Sequence, residues 1–192
     1  MKKLSLTIAT ILFFAGATVI NAQDNNDTNE AGHKISINID THALIDVEGA
    51  DGEATTINLA PSAPDEAGLG LDFNNISNSD LWLNYSSVVE KNKKRSISVS
   101  MDNDLPEGIT IELAISSDAG KGKGKVGKAE NGAKTLSTHG VDIVKDIKSC
   151  YTGTGSEKGH NLTYSLKMNE DKYGDLEADS YEVDITYTIT GN

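Results

Sequence analysis

The segment ITIELAI, residues 109–115, alternates large aliphatic side chains with smaller or polar ones at every second position. This is the period of a β-strand that buries one face. The aliphatic face consists of Ile109, Ile111, Leu113 and Ile115. RSISVSM, residues 95–101, has the same period, and the connection DNDLPEG, residues 102–108, is rich in turn-forming residues. The sequence therefore predicts that these two segments are antiparallel neighbours in one sheet.

Other short segments show the same alternation and are separated by turn-forming residues. They are KISINID (34–40), THALIDV (41–47), TTINLA (55–60), DLWLNYSSV (80–88), NLTYSLKM (161–168) and YEVDITYTIT (181–190). HGVDIVKDIKS, residues 139–149, fits a strand or a short helix, and residues 60–75 hold two of the three prolines and predict a long connection. Because no long amphipathic helix is evident, we predict an all-β chain, an immunoglobulin-like antiparallel β-sandwich forming one domain over residues 34–192.

The amino terminus has the features of a secretory signal peptide. Two lysines follow Met1, and the apolar run LTIATILFFAGATVI, residues 6–20, leads to Ala22. We expect residues 1–22 to be removed and the mature protein to be exported to the cell surface or beyond, with the periplasm as the alternative. The polar residues 23–33 predict a flexible arm, and no later segment is apolar enough to span a membrane.

Charge is distributed unevenly along an acidic chain. The sequence has 29 acidic and 17 basic residues, a formal net charge of −12, which argues against nucleic acid as a partner. Two segments are nonetheless basic, KNKKR at 91–95 and the glycine-rich loop at 120–128. The predicted pairing of residues 95–101 with 109–115 brings both segments to one end of the molecule. This basic pole comprises Lys91, Lys93, Lys94, Arg95, Lys121, Lys123, Lys125 and Lys128.

The basic pole has two interpretations. Both segments can be solvated loops whose charge keeps the protein soluble. Alternatively, the pole meets an acidic partner, which is either an anionic surface polysaccharide or the acidic end of another copy of this chain. The second interpretation predicts an association that weakens as the salt concentration rises.

The loop GKGKGKVGK, residues 120–128, contains the spacing G-x-G-x-x-G at Gly122, Gly124 and Gly127. A dinucleotide-binding loop with this spacing leads into a helix whose amino terminus receives the pyrophosphate. Here the loop-like segment AENGAKTLS follows instead. The spacing is therefore interpreted as a coincidence of glycine-rich and lysine-rich composition, and no cofactor is predicted.

Candidate catalytic and metal-binding residues are few. The four histidines show no metal-ligand spacing, so no metal site is predicted, and Asp102 and Asp104 suit a turn better than a calcium loop. The only cysteine, Cys150, precedes His160 by ten residues, which makes this pair the one candidate for nucleophilic catalysis. A buried cysteine followed by a polar loop explains the same residues, and we predict that the protein is not an enzyme.

Several segments resemble known groups of proteins. The leader MKKLSLTIATILFF together with LWLNYSSVV, SCYTGTG, GHNLTYSL and ITYTIT resembles a group of small exported proteins of Bacteroidota without an assigned activity. KISINIDTHALIDVEGADGE and YEVDITYTIT resemble the major subunits of alpha-class, colonization-factor-like fimbriae, which are assembled by the chaperone-usher route. The second resemblance implies that an amino-terminal strand carrying Ile35, Ile37 and Ile39 completes the sandwich of a neighbouring subunit.

Two functions remain open from the sequence. The first is a structural or adhesive surface protein that self-associates through its amino-terminal strand, since a flexible arm followed by an alternating strand suits β-strand addition. The same strand can equally fold back onto its own sheet, because a donated strand and an edge strand share one pattern. The second is a monomeric extracellular binding module, with a glycan as ligand and Trp82 or the basic pole as the contact.

Overall fold

A computed structural model describes residues 32–52 and 56–191. The predicted signal peptide and most of the predicted arm lie outside these residues. The chain divides into two units, residues 1–38 and 39–192. The β-structure described here belongs to the second unit.

Eleven antiparallel strands are present in the described residues, and they form two sheets. The strands are β1 (His42–Glu48), β2 (Ser77–Val88), β3 (Arg95–Met101), β4 (Ile109–Ile115), β5 (Lys123–Gly124), β6 (Lys128–Ala129), β7 (Lys134–Thr135), β8 (Val141–Ile147), β9 (Cys150–Tyr151), β10 (His160–Met168) and β11 (Ile185–Gly191). One short 3-10 helix (Glu170–Asp175) connects β10 to the segment before β11. The predicted all-β, antiparallel sandwich is confirmed, and the immunoglobulin-like assignment stays a prediction.

The larger sheet is organised around β2. Strand β1 pairs with one side of β2, while β10 and β9 pair with successive parts of its other side. Beyond them, β4 pairs with β10, β7 with β4, and β5 with β9. The smaller sheet has the order β11, β3, β8, β6. Consequently β1 ends one sheet and β11 ends the other.

The core lies where the inward faces of the two sheets meet, and aliphatic side chains dominate it. Strand β2 contributes alternate residues from one sheet and strand β3 does so from the other, as the period of two requires. The most deeply buried core side chains are Leu83, Ile97, Val99, Leu113, Ile143, Val144, Ile147 and Leu162. All are Ile, Leu or Val, whose branched side chains suit packing between sheets.

The prediction that residues 95–101 and 109–115 are antiparallel neighbours is wrong. Both segments are strands with the predicted bounds, but β3 lies between β11 and β8 in the smaller sheet, whereas β4 lies beside β10 in the larger one. The connection from 102 to 108 therefore crosses between the sheets. Where the connection leaves β3, the Asp102 amide donates a hydrogen bond of 3.0 Å to the carbonyl of Asp184, the residue before β11.

Three other segments differ from their predictions. Residues 34–40 belong to neither sheet, and residues 56–60 of the predicted strand 55–60 form no strand, although Ile57 and Leu59 pack against the core. In the last predicted strand only the part from Ile185 onward pairs. The ambiguous segment 139–149 contains strand β8. Strand β8 is irregular: Ile97 pairs with Val144 but Ser98 pairs with Asp142, so Ile143 is an extra residue, and the consecutive residues Ile143 and Val144 are both buried.

Candidate functional site

The first candidate site is the side of the sandwich where β1 and β11 lie near each other. Cα atoms of the two strands come within 8 Å, although the strands belong to different sheets. Within the described chain, β1 pairs only with β2 and β11 only with β3. Each strand therefore has a second edge whose backbone groups no described strand pairs with, which makes each able to accept an added strand.

The apolar core is incompletely covered at this side. The inward residues of β11 are only half-buried, and so are those of β1, whereas Ile97 and Val99 in the neighbouring β3 are at most 1% exposed. The half-buried residues are Ala43, Ile45 and Val47 in β1 and Ile185, Tyr187 and Ile189 in β11. We call the unpaired edges of these two strands, with their half-buried apolar residues, the open edge. It offers apolar contact as well as free backbone hydrogen bonds.

The predicted assembly strand is highly exposed. Ile35, Ile37 and Ile39 are 73%, 80% and 79% exposed, and no backbone pairing involves residues 32–41. Three isoleucines at alternate positions, all facing water, leave a large apolar area unburied. The structure thus contains an unpaired apolar segment and an open apolar edge.

The second candidate site is the basic pole, and the structure brings its two segments together. Lys91 and Lys93 from the turn before β3 line one surface depression with Lys125 from the glycine-rich loop. Lys93, Lys94 and Arg95 line an adjacent depression. The two segments meet although β3 and β4 do not pair, because the glycine-rich loop continues past β4 and pairs through β5 with β9, which pairs with the end of β2 next to the turn before β3.

Some lysines differ from the predicted set. Lys148, which follows β8, lines the same depression as Lys91 and was missed because a single lysine after an ambiguous segment carries no sequence signal. Lys123 precedes the part of the loop that lines the depression and pairs with Tyr151 in β9. Lys94 is already engaged, since its Nζ lies 2.6 Å from Asp146. That hydrogen bond, with the nearby charges of Lys128 and Lys148, lowers the pKa of the Asp146 carboxyl.

The glycines of the loop have a structural role. At Gly124 and Gly127 the φ angles are +93° and +88°, and an added Cβ would overlap the backbone carbonyls of Ser149 and Lys145. The loop therefore packs backbone against backbone along β8 and β9, which only glycine permits. It leads into the short strand β6, and no helix follows as a nucleotide-binding loop would require.

The end of β11 opposite the basic pole is acidic. Ile185 pairs with Met101, and the Asp102 carboxylate accepts a hydrogen bond of 2.8 Å from the Asp184 amide. Asp104 and Glu182 lie close by in the sequence, and all four of these carboxylate residues are exposed. The two ends of β11 thus differ in charge, since Gly191 at the other end pairs with Arg95.

Cys150 and His160, the one candidate catalytic pair, are both buried. The Nδ1 of His160 lies 2.8 Å from the Ser116 carbonyl, which can only accept, so Nδ1 carries the proton. The Nε2 lies 2.9 Å from the Tyr85 hydroxyl, which donates its hydrogen to the Val126 carbonyl, and the two rings are stacked. Both ring nitrogens thus face oxygen atoms of other residues, and no hydrogen bond joins the imidazole to the Cys150 thiol. Burial raises the pKa of the Cys150 thiol to about 11, which fits the predicted role of a buried small side chain.

Acid is expected to destabilise the fold through His160. Burial is the main cause that holds the pKa of this imidazole below its ordinary value of 6.5. Below this pH the imidazole binds a proton more readily in the unfolded chain than in the folded one. The free energy of unfolding should therefore fall as the pH drops below about 6.5. Urea denaturation between pH 7.5 and 5 measures this. In His160→Gln the loss over this window should be smaller, and an unchanged slope would contradict the assignment.

Trp82 lies on the face of β2 opposite the core residues Leu81 and Leu83 and is half-buried. Its register partners in the two neighbouring strands are Glu48 in β1 and Asn161 in β10. The ring is therefore covered in part by neighbouring strands. A fully exposed aromatic platform is not formed at this position.

Comparisons with protein-family profiles, curated proteins and solved structures found no match to this chain. Among the described residues, no helix has the length and apolarity needed to cross a membrane. The same residues contain no group of three or more His, Cys, Asp or Glu side chains arranged to hold a metal ion. Function has to be inferred from the open edge and the basic pole.

Proposed function

We propose that this protein is an exported structural subunit of the cell surface, and that copies assemble by donating residues 34–40 to the open edge of a neighbour. In this proposal the sandwich is of the immunoglobulin type and lacks one edge strand. Cys150 and His160 serve packing, and the protein has no catalytic role.

One observation carries the proposal. The inward faces of β1 and β11 are half-buried along two unpaired strand edges, while an unpaired segment of the same chain exposes Ile35, Ile37 and Ile39. The segment 34–40 and β11 both have seven residues, so one can pair with the whole length of the other. Main-chain hydrogen bonds would supply affinity, and the alternate isoleucines would complete the core.

A second function is supported by the depressions at the basic pole. Lys91, Lys93, Lys125 and Lys148 converge there from three segments of the chain, and none of these four forms an ion pair within the described residues. Such a surface attracts anionic groups. A monomeric module that binds an acidic glycan is therefore the alternative proposal.

The size of the native protein distinguishes the two functions. Protein sheared from cells should be run on denaturing gels under reducing conditions, with and without boiling, so that disulfide dimers through Cys150 do not contribute. A ladder at multiples of the subunit mass that collapses on boiling is expected, because strand-exchanged contacts resist detergent until they are heated. A single monomer band in both lanes would overturn assembly by strand donation and favour the glycan-binding module.

A further inference from the structure

Two exposed apolar side chains of the larger sheet lie close to each other. Leu44 in β1 and Tyr151 in β9 are 69% and 51% exposed, and among the described residues they are the only large apolar side chains exposed on strands. Strand β2 lies between them, and its Ser86 is the register partner of both. On the far side of β9, Tyr151 pairs with Lys123 of β5. These four residues form one row across four strands, which we call the outer row.

The side chains of the outer row share the outer face of the larger sheet. Residues paired across antiparallel strands project to the same face, with Cβ atoms about 4.5–5.5 Å apart. The next register pair, Ser87 and Cys150, is buried. Because successive residues of a strand alternate between faces, Ser86 and Tyr151 face away from the core. Three strand spacings make the row roughly 14 Å long.

The composition of the outer row suits a sugar ring. The small side chain of Ser86 separates the two larger side chains of Leu44 and Tyr151, so the row offers an aromatic and an aliphatic surface with a hydroxyl between them. A pyranose ring carries C–H bonds on its faces and hydroxyl groups at its rim, which match apolar surface with a few polar groups. We propose that the outer row binds an acidic polysaccharide, with a pyranose ring on Tyr151 and a carboxylate or sulfate group at Lys123. The inference rests on the second proposed function, the glycan-binding module, and supplies its aromatic contact.

Charge favours an acidic polysaccharide over a neutral one. Lys123 forms no ion pair within the described residues. Ser149 lies two residues from Tyr151, a rise of roughly 7 Å along a strand, and it lines the depression that also holds Lys125. Of the described residues that line this depression, Glu90 alone is acidic, against four lysines. A polysaccharide that crosses Tyr151 therefore reaches a cationic surface next to the outer row.

The acidic side chain nearest to the outer row along β1 lies at its other end. Asp46 is exposed and is two residues from Leu44, whereas Lys123 is three strands away from Leu44. Single-stranded nucleic acid also combines rings with anionic groups. Its successive bases need several aromatic side chains, and the outer row has one.

Titration calorimetry on residues 23–192 tests the outer row with polymers that separate rings from charge. Polygalacturonate and dextran sulfate have pyranose rings with anionic groups, dextran has rings without charge, and polyphosphate has charge without rings. The natural chain should bind polyphosphate and at least one anionic polysaccharide, and bind dextran roughly 10-fold more weakly or less. The anionic polysaccharide that binds more tightly identifies the group that Lys123 meets.

Substitutions at the two apolar side chains test the ring contact. Tyr151→Ala should weaken binding of the anionic polysaccharide roughly 10-fold and leave polyphosphate binding unchanged, because polyphosphate has no ring to pack. Leu44→Ser should act in the same direction. Tyr151→Phe keeps the ring and should bind as the natural chain does. The matched control is Tyr181→Ala, which removes a ring that is 43% exposed in the segment before β11, and it should change neither affinity.

Substitution of a single lysine tests the charge contact. Lys123→Gln should weaken binding of the anionic polysaccharide, and the effect should shrink as the salt concentration rises. Lys167→Gln makes the same charge change at an exposed position of β10 in the same sheet and should have no effect. The melting temperature of each variant is measured alongside, and all should match the natural chain because these side chains are exposed.

The outcomes separate failure of the outer row from failure of the glycan-binding module. If Tyr151→Ala and Leu44→Ser bind as tightly as the natural chain while Lys91→Glu with Lys93→Glu abolishes binding, the outer row is overturned and the module relies on the basic pole alone. A natural chain that binds neither anionic polysaccharide overturns both. Tighter binding to a single-stranded RNA oligonucleotide than to either polysaccharide would overturn the assignment to a glycan.

Discussion

Replacing the three exposed isoleucines of the arm by serine, Ile35→Ser, Ile37→Ser and Ile39→Ser, is expected to abolish the heat-sensitive ladder. If each isoleucine is buried when donated, its loss removes about 2 kcal/mol, and three losses reduce the association constant by roughly 10⁴-fold or more. The melting temperature of the monomer should stay nearly unchanged, because these side chains are 73%, 80% and 79% exposed in the free chain.

A matched control distinguishes assembly through a specific strand from non-specific hydrophobic association. Leu44 and Leu69 are exposed apolar side chains outside the arm, at 69% and 61%. Leu44→Ser with Leu69→Ser should leave the ladder intact, because neither residue is part of the donated segment and Leu44 lies on the outer face of β1. A ladder that survives the isoleucine substitutions, or disappears equally in the control, would contradict assembly through residues 34–40.

Ile97→Ala is expected to produce the largest loss of stability in the folded monomer, about 2 to 5 kcal/mol. Ile97 is 0% exposed in the centre of β3, so its truncation leaves a cavity between the sheets as well as losing apolar burial. Its register partner in β11 is Ile189, which is only half-buried at the open edge. Ile189→Ala should therefore cost roughly half as much in the monomer.

Both variants are measured by chemical denaturation in a chain that also carries Ile35→Ser, Ile37→Ser and Ile39→Ser, so that it stays monomeric. Equal losses for Ile97→Ala and Ile189→Ala would show that the edge of β11 is already covered, which would contradict the open edge. In the assembled form Ile189→Ala should become more costly, because a donated strand would cover this side chain. The ladder of that variant is then expected to collapse at a lower temperature than the natural one.

Much of the strand content could be predicted from the residues alone. The segments at 95–101 and 109–115 are strands with the predicted bounds, because alternating aliphatic side chains specify which face of an extended chain is buried. The same alternation predicted that Ile185, Tyr187 and Ile189 share one face of the last strand, and these three residues are half-buried while their neighbours are exposed. The absence of a helix after the glycine-rich loop also followed from composition.

Pairing and coverage were decided by the tertiary structure. Every strand offers the same backbone donors and acceptors, so a period of two does not say whether β3 lies beside β4 or beside β11. For the same reason residues 34–40 carry a strand pattern without being paired, since such a pattern needs a partner that the chain alone does not place beside them. The closeness of Lys148 to Lys91, the glycines packed along β8 and β9, and the open edge all depend on contacts between residues far apart in sequence. The sequence by itself determined which segments can become strands, and the packing of two sheets decided which of their edges remained free.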